Sequence, residues 1–154
     1  MKRLALALLP VVLLSGAACK KSEPPPPPPT TAAPATTTLP PAPSVVGVSV
    51  GNAIGADKKV TAASATLGPK DTIYASVDTA GSGHIRLKTV FSFVKGDKTK
   101  EVDAPQTIEF DSIGPATNEF HVSKPSGWPK GDYKVEVFLN DSAAPAATRA
   151  FKVG

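Results

Sequence analysis

The stretch that decides the fold is 123–140, Ser-Lys-Pro-Ser-Gly-Trp-Pro-Lys-Gly-Asp-Tyr-Lys-Val-Glu-Val-Phe-Leu-Asn. It begins with proline and glycine, which favour a loop, and then changes to a regular alternation. One face of the alternating part carries Tyr133, Val135, Val137 and Leu139, and the other carries Lys134, Glu136, Phe138 and Asn140. A period of two over eight residues predicts a half-buried β-strand.

Similar alternation recurs through residues 44–154, a length typical of one domain. We predict further strands at Ser44–Val50, Val60–Leu67, Thr72–Thr79, Ile85–Val94, Thr99–Val102, Thr107–Phe110, Glu119–Val122 and Thr148–Val153. Glycine-rich and proline-rich turns separate them, as at Ala80–Gly83. Eight or nine strands at spacings of roughly 8 to 14 residues, without a helical period, predict an antiparallel β-sandwich.

Residues in the stretch 123–140 and at the end of the chain resemble the end of the immunoglobulin-like domains found in bacterial envelope proteins. The resemblance is carried by Gly127-Trp128-Pro129-x-Gly131-x-Tyr133-x-Val135-x-Val137 and the closing Phe151-x-Val153. It implies an immunoglobulin-like sandwich over residues 44–154, with structural roles for Trp128, Gly131 and Tyr133. Tyr133 lies two residues before Val135, which occupies the position of the second core cysteine, and this spacing matches a tyrosine corner. Both core cysteines are absent, and Phe91 or Phe93 replaces the usual strand tryptophan.

The N-terminus has the order of an export signal. A positive start, Met1-Lys2-Arg3, precedes an apolar run at Leu4–Leu14 and the small residues 15–18. The apolar run is too short to span a bilayer comfortably. Residues 1–18 are therefore predicted to be a secretory signal peptide.

Cys19, the only cysteine of the chain, directly follows this signal. Ala17, Ala18 and Cys19 resemble the lipobox of bacterial lipoproteins, although Gly16 replaces the family's usual aliphatic residue. The resemblance implies cleavage before Cys19 and lipidation with diacylglyceryl and palmitate. Each buried lipid methylene contributes about 0.8 kcal/mol, so two or three chains anchor firmly. The alternative is an ordinary signal cut after Ala18 that leaves a free thiol.

The resemblance also bears on location. No aspartate follows Cys19, which in the lipoprotein family favours the outer membrane where the organism has one. We therefore expect a lipid-anchored protein of the bacterial cell envelope, with the membrane as its first partner.

Residues 19–43 are predicted to be a disordered, proline-rich linker. Ten of the 17 prolines lie between Pro24 and Pro43. Proline lacks a backbone donor, and this composition cannot bury an apolar face. In the polyproline II conformation the stretch 20–43 would reach roughly 75 Å at about 3.1 Å per residue. We interpret it as a spacer that holds a domain off a membrane; docking of a proline-binding module and association with the cell wall are the alternatives.

Charge and cysteine usage exclude several classes of function. The formal net charge is +4, and after removal of Lys2 and Arg3 it is +2, from 15 basic and 13 acidic residues. The charges are interspersed and form no basic stripe, so we expect no nucleic-acid partner. With one cysteine, the predicted domain cannot contain an internal disulfide bond.

Residues that carry catalysis or bind metals are few. His84 and His121 are the only histidines, His84 in a predicted glycine loop and His121 on the outward side of a strand. Glu109 and Asp111 share one strand face. We interpret them as solvated surface charges rather than as a catalytic pair of carboxylates. There is no G-x-S-x-G motif and no phosphate-binding loop. We expect no catalytic residue, no metal and no cofactor, and hence no enzyme.

Three aromatic residues, Trp128, Tyr74 and Phe138, are the candidates for a binding surface. If they form one exposed patch, they provide a platform for sugar or peptide. Trp128 has a competing structural role, as a lid on one end of the sandwich between Pro125 and Pro129. Two hypotheses follow: a module for contact with an unknown envelope protein, or a module that binds glycan or peptidoglycan. A small hydrolase would require a cleft with a histidine next to a nucleophile.

Overall fold

The structure, a computed structural model, describes residues 39–154. The predicted signal peptide, the predicted lipidation site Cys19 and the linker up to residue 38 lie outside the described residues. Within 39–154 the chain forms nine β-strands and no helix. Accordingly, this part of the chain has no helix of sufficient length and apolarity to cross a membrane.

The strands follow the order in which the sequence alternates. Their bounds are β1 Ser44–Gly51, β2 Thr66–Leu67, β3 Ile73–Ala80, β4 Ser82–Lys95, β5 Lys98–Glu101, β6 Gln106–Ile113, β7 Ala116–Val122, β8 Gly131–Leu139 and β9 Ala147–Val153. The prediction of eight or nine strands is confirmed.

The strands form two sheets in immunoglobulin-like order. One sheet has the order β1-β3-β7, and the other has the order β2-β9-β8-β4-β5, with β6 also paired to β4. These sheets correspond to the A-B-E and C-F-G sets of the immunoglobulin fold. All strand pairs are antiparallel except β2 and β9, which form a short parallel ladder. The predicted immunoglobulin-like sandwich is thus confirmed, with one parallel pair added.

The core lies between the two sheets and follows the alternation of the sequence. Tyr133, Val135 and Val137 of β8 are buried, as the alternation within 123–140 predicted. The facing residues of β3 and β4 are buried with them, namely Ile73, Ala75, Val77, Ile85, Leu87 and Phe91. Each large apolar side chain of this kind contributes about 1.5–3 kcal/mol when fully buried. With no disulfide, this burial is the main source of stability.

The predicted strand at Val60–Leu67 is mostly wrong, since only Thr66 and Leu67 are in a strand. The preceding residues fold back over the outer face of the three-stranded sheet. There the amide of Val60 donates to the hydroxyl of Ser76 at 3.3 Å. Ser76, although on the outward side of β3, is consequently buried. The weak alternation reflects a covering loop rather than a strand.

The predicted turn at Ala80–Gly83 is shorter than expected, because β4 begins at Ser82. Gly81 alone separates β3 from β4, with φ +95°, and an added Cβ would overlap the carbonyl of Ala42. The amide of Ser82 donates to the carbonyl of Pro41 at 2.9 Å. The chain crosses between the sheets at this point, next to the segment that leads into β1.

Candidate functional site

One end of the sandwich, which we call the closed end, is built around Tyr133. Its hydroxyl donates to the carbonyl of Pro129 at 2.8 Å, the geometry of a tyrosine corner. The Tyr133 ring stacks on Phe151 at 5.5 Å between centroids and meets the edge of Phe93 at 5.0 Å. Burial raises the pKa of the Tyr133 hydroxyl, because the phenolate would lose its hydration.

Trp128 completes the closed end and is only 4% exposed. Its indole nitrogen donates to the carbonyl of Asp71 at 2.8 Å, and its amide donates to the carbonyl of Pro69 at 2.7 Å. Its ring lies edge-on to Tyr133, with centroids 6.2 Å apart. Two hydrogen bonds to a loop more than 50 residues away in sequence fix Trp128 as a lid over the core.

Gly131 allows the chain to enter β8 at this end. Its φ is +146°, and a Cβ at this position would lie 2.8 Å from the Phe93 ring. Both the backbone conformation and the close ring therefore require glycine.

The three candidates for a binding surface, Trp128, Tyr74 and Phe138, do not form one exposed patch. Trp128 is buried. Tyr74 lies on β3 of the three-stranded sheet, in contact with His121 at 5.6 Å between ring centroids. Phe138 lies on β8 of the other sheet. The aromatic platform on which the glycan hypothesis depended is therefore absent from the described residues.

A different cluster lies on the outer face of the six-stranded sheet. We call it the Arg86 face, and it consists of Arg86, Lys88, Glu109, Phe138, Asn140 and Asp141. Arg86 is placed outward by the alternation of β4, between the buried Ile85 and Leu87. Its Nε lies 3.1 Å from Oε1 of Glu109, and its Nη1 lies 3.1 Å from Oδ2 of Asp141. With its side chain 44% exposed, Arg86 is held in position yet remains accessible.

The turn after β8 supplies the second half of this cluster. Asn140 and Asp141 have positive φ angles of 50° and 57°, a conformation that Asn and Asp tolerate better than most residues. The amide of Arg86 donates to Oδ1 of Asn140 at 2.9 Å, and the amide of Asn140 donates to the carbonyl of Arg86 at 2.8 Å. The residues Asn140, Asp141 and Ser142 therefore form a turn after β8. A surface cavity of about 400 Å³ is lined by His84, Arg86, Glu109, Asn140 and Asp141.

Phe138 extends the Arg86 face along β8. It is half-buried, and the ammonium of Lys88 lies 4.7 Å from its ring centroid. Lys88 and Phe138 are paired across the β4–β8 ladder, so this cation–π contact is set by the register. An aromatic ring, a lysine and an arginine are therefore neighbours on one sheet face.

Each of the two histidines lies beside a carboxylate at the surface. His84 lies in β4, not in the predicted glycine loop, and its Nδ1 is 3.1 Å from Oδ1 of Asp111. Nδ1 of His121 is 3.3 Å from Oε1 of Glu119. In residues 39–154 no hydrogen bond joins a serine or threonine hydroxyl to a histidine. Nor do the described His, Asp and Glu side chains form a group of three suited to a metal ion.

Sequence reasoning missed the Arg86 face because its partners are remote in the chain. Arg86 and Asp141 are 55 residues apart. The available signals were the outward position of Arg86 in β4 and the Asn-Asp pair directly after β8. Neither signal reports that the two would meet, since that depends on the register of β4 against β8.

No family model matches this sequence, and no curated protein sequence matches it. Solved structures do match the sandwich. A β-glucosidase from Erythrobacter marinus matches with a TM-score of 0.51 and 8% identity, over 73% of this chain and 15% of the enzyme. An alkylpurine DNA glycosylase from Pseudomonas fluorescens gives a TM-score of 0.45 and 13% identity, over 72% of this chain and 30% of that chain. An immunoglobulin-like protein from Pseudomonas aeruginosa gives a TM-score of 0.42 and 13% identity, over 74% of this chain and 98% of that protein.

The matched region spans only a small part of the two enzymes, and the identities are far below those of close relatives. The β-glucosidase match therefore concerns the fold of the sandwich alone, and the two activities belong to those proteins. By its strand order, the part of the chain at residues 39–154 is an all-β, immunoglobulin-like domain.

Proposed function

We propose that the chain is a lipid-anchored protein of the bacterial cell envelope, whose immunoglobulin-like domain is a non-catalytic module for contact with another envelope protein. The observation that supports this most is the Arg86 face. It combines an accessible arginine with a half-buried aromatic ring, Phe138, on one flat sheet surface. Arginine and aromatic residues dominate the binding energy of protein interfaces.

The geometry of the Arg86 face suits a protein partner. Glu109 and Asp141 hold the guanidinium of Arg86 in one orientation, which lowers the entropy lost when a partner binds. The adjacent depression, lined by His84, Arg86, Glu109, Asn140 and Asp141, is open to solvent and leaves these polar side chains accessible to a partner. Because Arg86 lies there between the carboxylates of Glu109 and Asp141, a partner with a complementary charge pattern gains specificity and register.

The anchor in this proposal is the lipid at Cys19, and the spacer is the proline-rich linker. Their support is the sequence: the small-residue exit from the signal, the single cysteine at that boundary and ten prolines before the domain. An anchored domain on a long tether searches a limited volume near the membrane, which raises the effective concentration of a partner there.

Replacement of Cys19 tests the anchor. In cells that produce the intact protein, Cys19→Ala should abolish labelling with a palmitate analogue and release the protein from the membrane fraction. Unchanged labelling would refute the lipid assignment.

A site-specific photo-crosslinker tests the contact. Placed at Lys88, next to Phe138 on the Arg86 face, it should give a discrete protein adduct in intact cells. The matched control is Lys98, an exposed lysine in the edge strand β5. Arg86→Ala should remove the Lys88 adduct without unfolding the domain, because exposed ion pairs contribute only about 0–1 kcal/mol. The proposal fails if adducts form equally at both positions or persist after Arg86→Ala.

A further inference from the structure

The end of the sandwich opposite Trp128, which we call the open end, has no charged residue over three segments. These are residues 39–46, 79–83 and 112–116. Charged residues make up 19% of the chain as a whole, so their absence from these 18 residues is a local property. Two side-chain hydrogen bonds join the second and third segments: the Thr79 hydroxyl donates to the Ala116 carbonyl at 3.2 Å, and the Ser112 hydroxyl to the Gly81 carbonyl at 3.1 Å.

The exposed large apolar side chains of residues 39–154 all lie at this end. They are Leu39, Val46 and Ile113, which are 82%, 67% and 98% exposed. Leu39 lies in the segment that leads into β1, and Ile113 is the last residue of β6, paired with Ser82. They project from a surface that otherwise consists of proline, glycine, alanine, serine and threonine.

A β-bulge turns Val46 outward. Val45 is opposite Thr79 and Gly47 is opposite Asp78, so Val46 is the extra residue without a partner in the ladder. Bulges of this kind redirect a side chain at the cost of local pairing. A surface depression beside Val46 is lined on one side by small residues, among them Ala80 and Ala116, and on the other by the charged pair Lys59 and Asp78.

We propose that the open end is a membrane-contact surface, where Leu39, Val46 and Ile113 insert into the interface of the bilayer that holds the anchor. This inference rests on the proposed lipid anchor. The chain from Cys19 reaches the domain at Leu39, so the open end is the one that the tether presents to the bilayer. The spacer reach of roughly 75 Å is a maximum, and a tether of that length still allows the domain to return to the surface.

A bilayer suits this surface better than a protein does. A standard protein interface buries about 800 Å² on each partner, which three separate aliphatic side chains cannot supply. Binding hot spots are enriched in Trp, Tyr and Arg, and the three segments contain none of these. A bilayer requires no complementary shape, only apolar side chains and the absence of charges that would have to lose their hydration.

The first charges outside the open end occur as pairs. Nζ of Lys59 lies 3.9 Å from Oδ1 of Asp78, and His84 pairs with Asp111. With the three aliphatic side chains inserted, these pairs would lie at the level of the lipid headgroups, where water is available to them.

An introduced cysteine tests this inference in the intact lipidated protein, reconstituted into phosphatidylcholine–phosphatidylglycerol vesicles. Since Cys19 is the only native cysteine and carries the lipid, Ile113→Cys provides the only free thiol for an environment-sensitive fluorophore. The matched control is Asp97→Cys, in the exposed β4–β5 turn at the opposite end of the sandwich. We expect blue-shifted emission at 113 and quenching by brominated lipid chains about two-fold or more stronger than at 97.

Vesicle flotation in the same samples separates the inference from the anchor. Protein that floats with the vesicles but is quenched equally weakly at 113 and 97 overturns the membrane contact and leaves the anchor intact. Protein that does not float overturns the anchor and the inference with it. Disulfide crosslinking between the introduced thiols of two unlabelled Ile113→Cys molecules, without lipid quenching, would assign the surface to a second copy instead.

Discussion

The two ends of the sandwich use their apolar residues in opposite ways. At the closed end, Trp128 and Tyr133 are buried, packed together and hydrogen-bonded to backbone carbonyls. At the open end, Val46 and Ile113 are exposed and project from segments that contain no charged residue. The most conspicuous aromatic residues therefore stabilise the fold, and the surfaces available for contact lie elsewhere, on the Arg86 face and at the open end.

The largest expected difference between the ends is in stability. Trp128→Ala should lower the free energy of unfolding by about 3–5 kcal/mol, because it removes a large buried side chain and leaves a cavity. Ile113→Ala, the matched change at the open end, should alter it by less than about 0.5 kcal/mol. Urea denaturation followed by circular dichroism measures both. Equal losses for the two variants would contradict the contrast between the ends.

Glycine substitutions sharpen the same contrast. Gly131→Ala should cost about 1–3 kcal/mol, because its backbone conformation disfavours a side chain and the new Cβ would lie 2.8 Å from the Phe93 ring. Gly114, in the β6–β7 turn at the open end, has nothing within 4 Å of such a Cβ, and Gly114→Ala should be neutral or slightly stabilising. Thermal unfolding of the two variants measures the difference. If Gly131→Ala left the stability unchanged, the Phe93 ring would not be packed tightly against this position.

Removal of a single hydroxyl tests the tyrosine corner. Tyr133→Phe should cost about 1 kcal/mol at neutral pH through loss of the hydrogen bond to Pro129. Because burial raises the pKa of Tyr133, its contribution to stability is complete below the unfolded-state pKa and is lost as the pH rises through the folded-state pKa. The stability gap between wild type and Tyr133→Phe should therefore narrow at alkaline pH. A gap that widens there would show that Tyr133 does not titrate as a buried phenol.

The smallest effects concern two buried threonines, Thr89 in the middle of β4 and Thr79 at the open end. The hydroxyl of Thr89 has no hydrogen-bond partner, whereas that of Thr79 donates to the carbonyl of Ala116. Thr89→Val should raise the free energy of unfolding by up to about 1 kcal/mol, and Thr79→Val should lower it by a similar amount. Chemical denaturation of the two variants measures the change in the free energy of unfolding. Changes of the same sign would contradict the assignment of the hydrogen bonds.

Local patterns predicted the sandwich well because strand alternation reports burial directly. The alternation of β8, β3 and β4 in the sequence matches their buried faces. The stretch at Val60 failed because a weakly alternating segment can either pair in a sheet or cover one. Which of these occurs depends on the bond between Val60 and Ser76, 16 residues away.

The candidate sites were harder to predict because they depend on register and on contacts between distant residues. The sequence left Trp128 with two roles, and the carbonyl of Asp71, 57 residues away, decides between them. The outward turn of Val46 depends on a bulge in β1, and the Val-Val-Gly-Val stretch is compatible with either register. Arg86 and Asp141 meet only because β4 and β8 are neighbours.

The most direct test of the account is the accessibility of Trp128, the only tryptophan in the chain. Its fluorescence can be quenched with acrylamide in the native protein and again in concentrated urea. The closed end predicts blue-shifted native emission with weak quenching, and strong quenching only after unfolding. Native quenching as strong as that of the unfolded chain would contradict the account, since Trp128 would then be an exposed platform and the closed end would not exist.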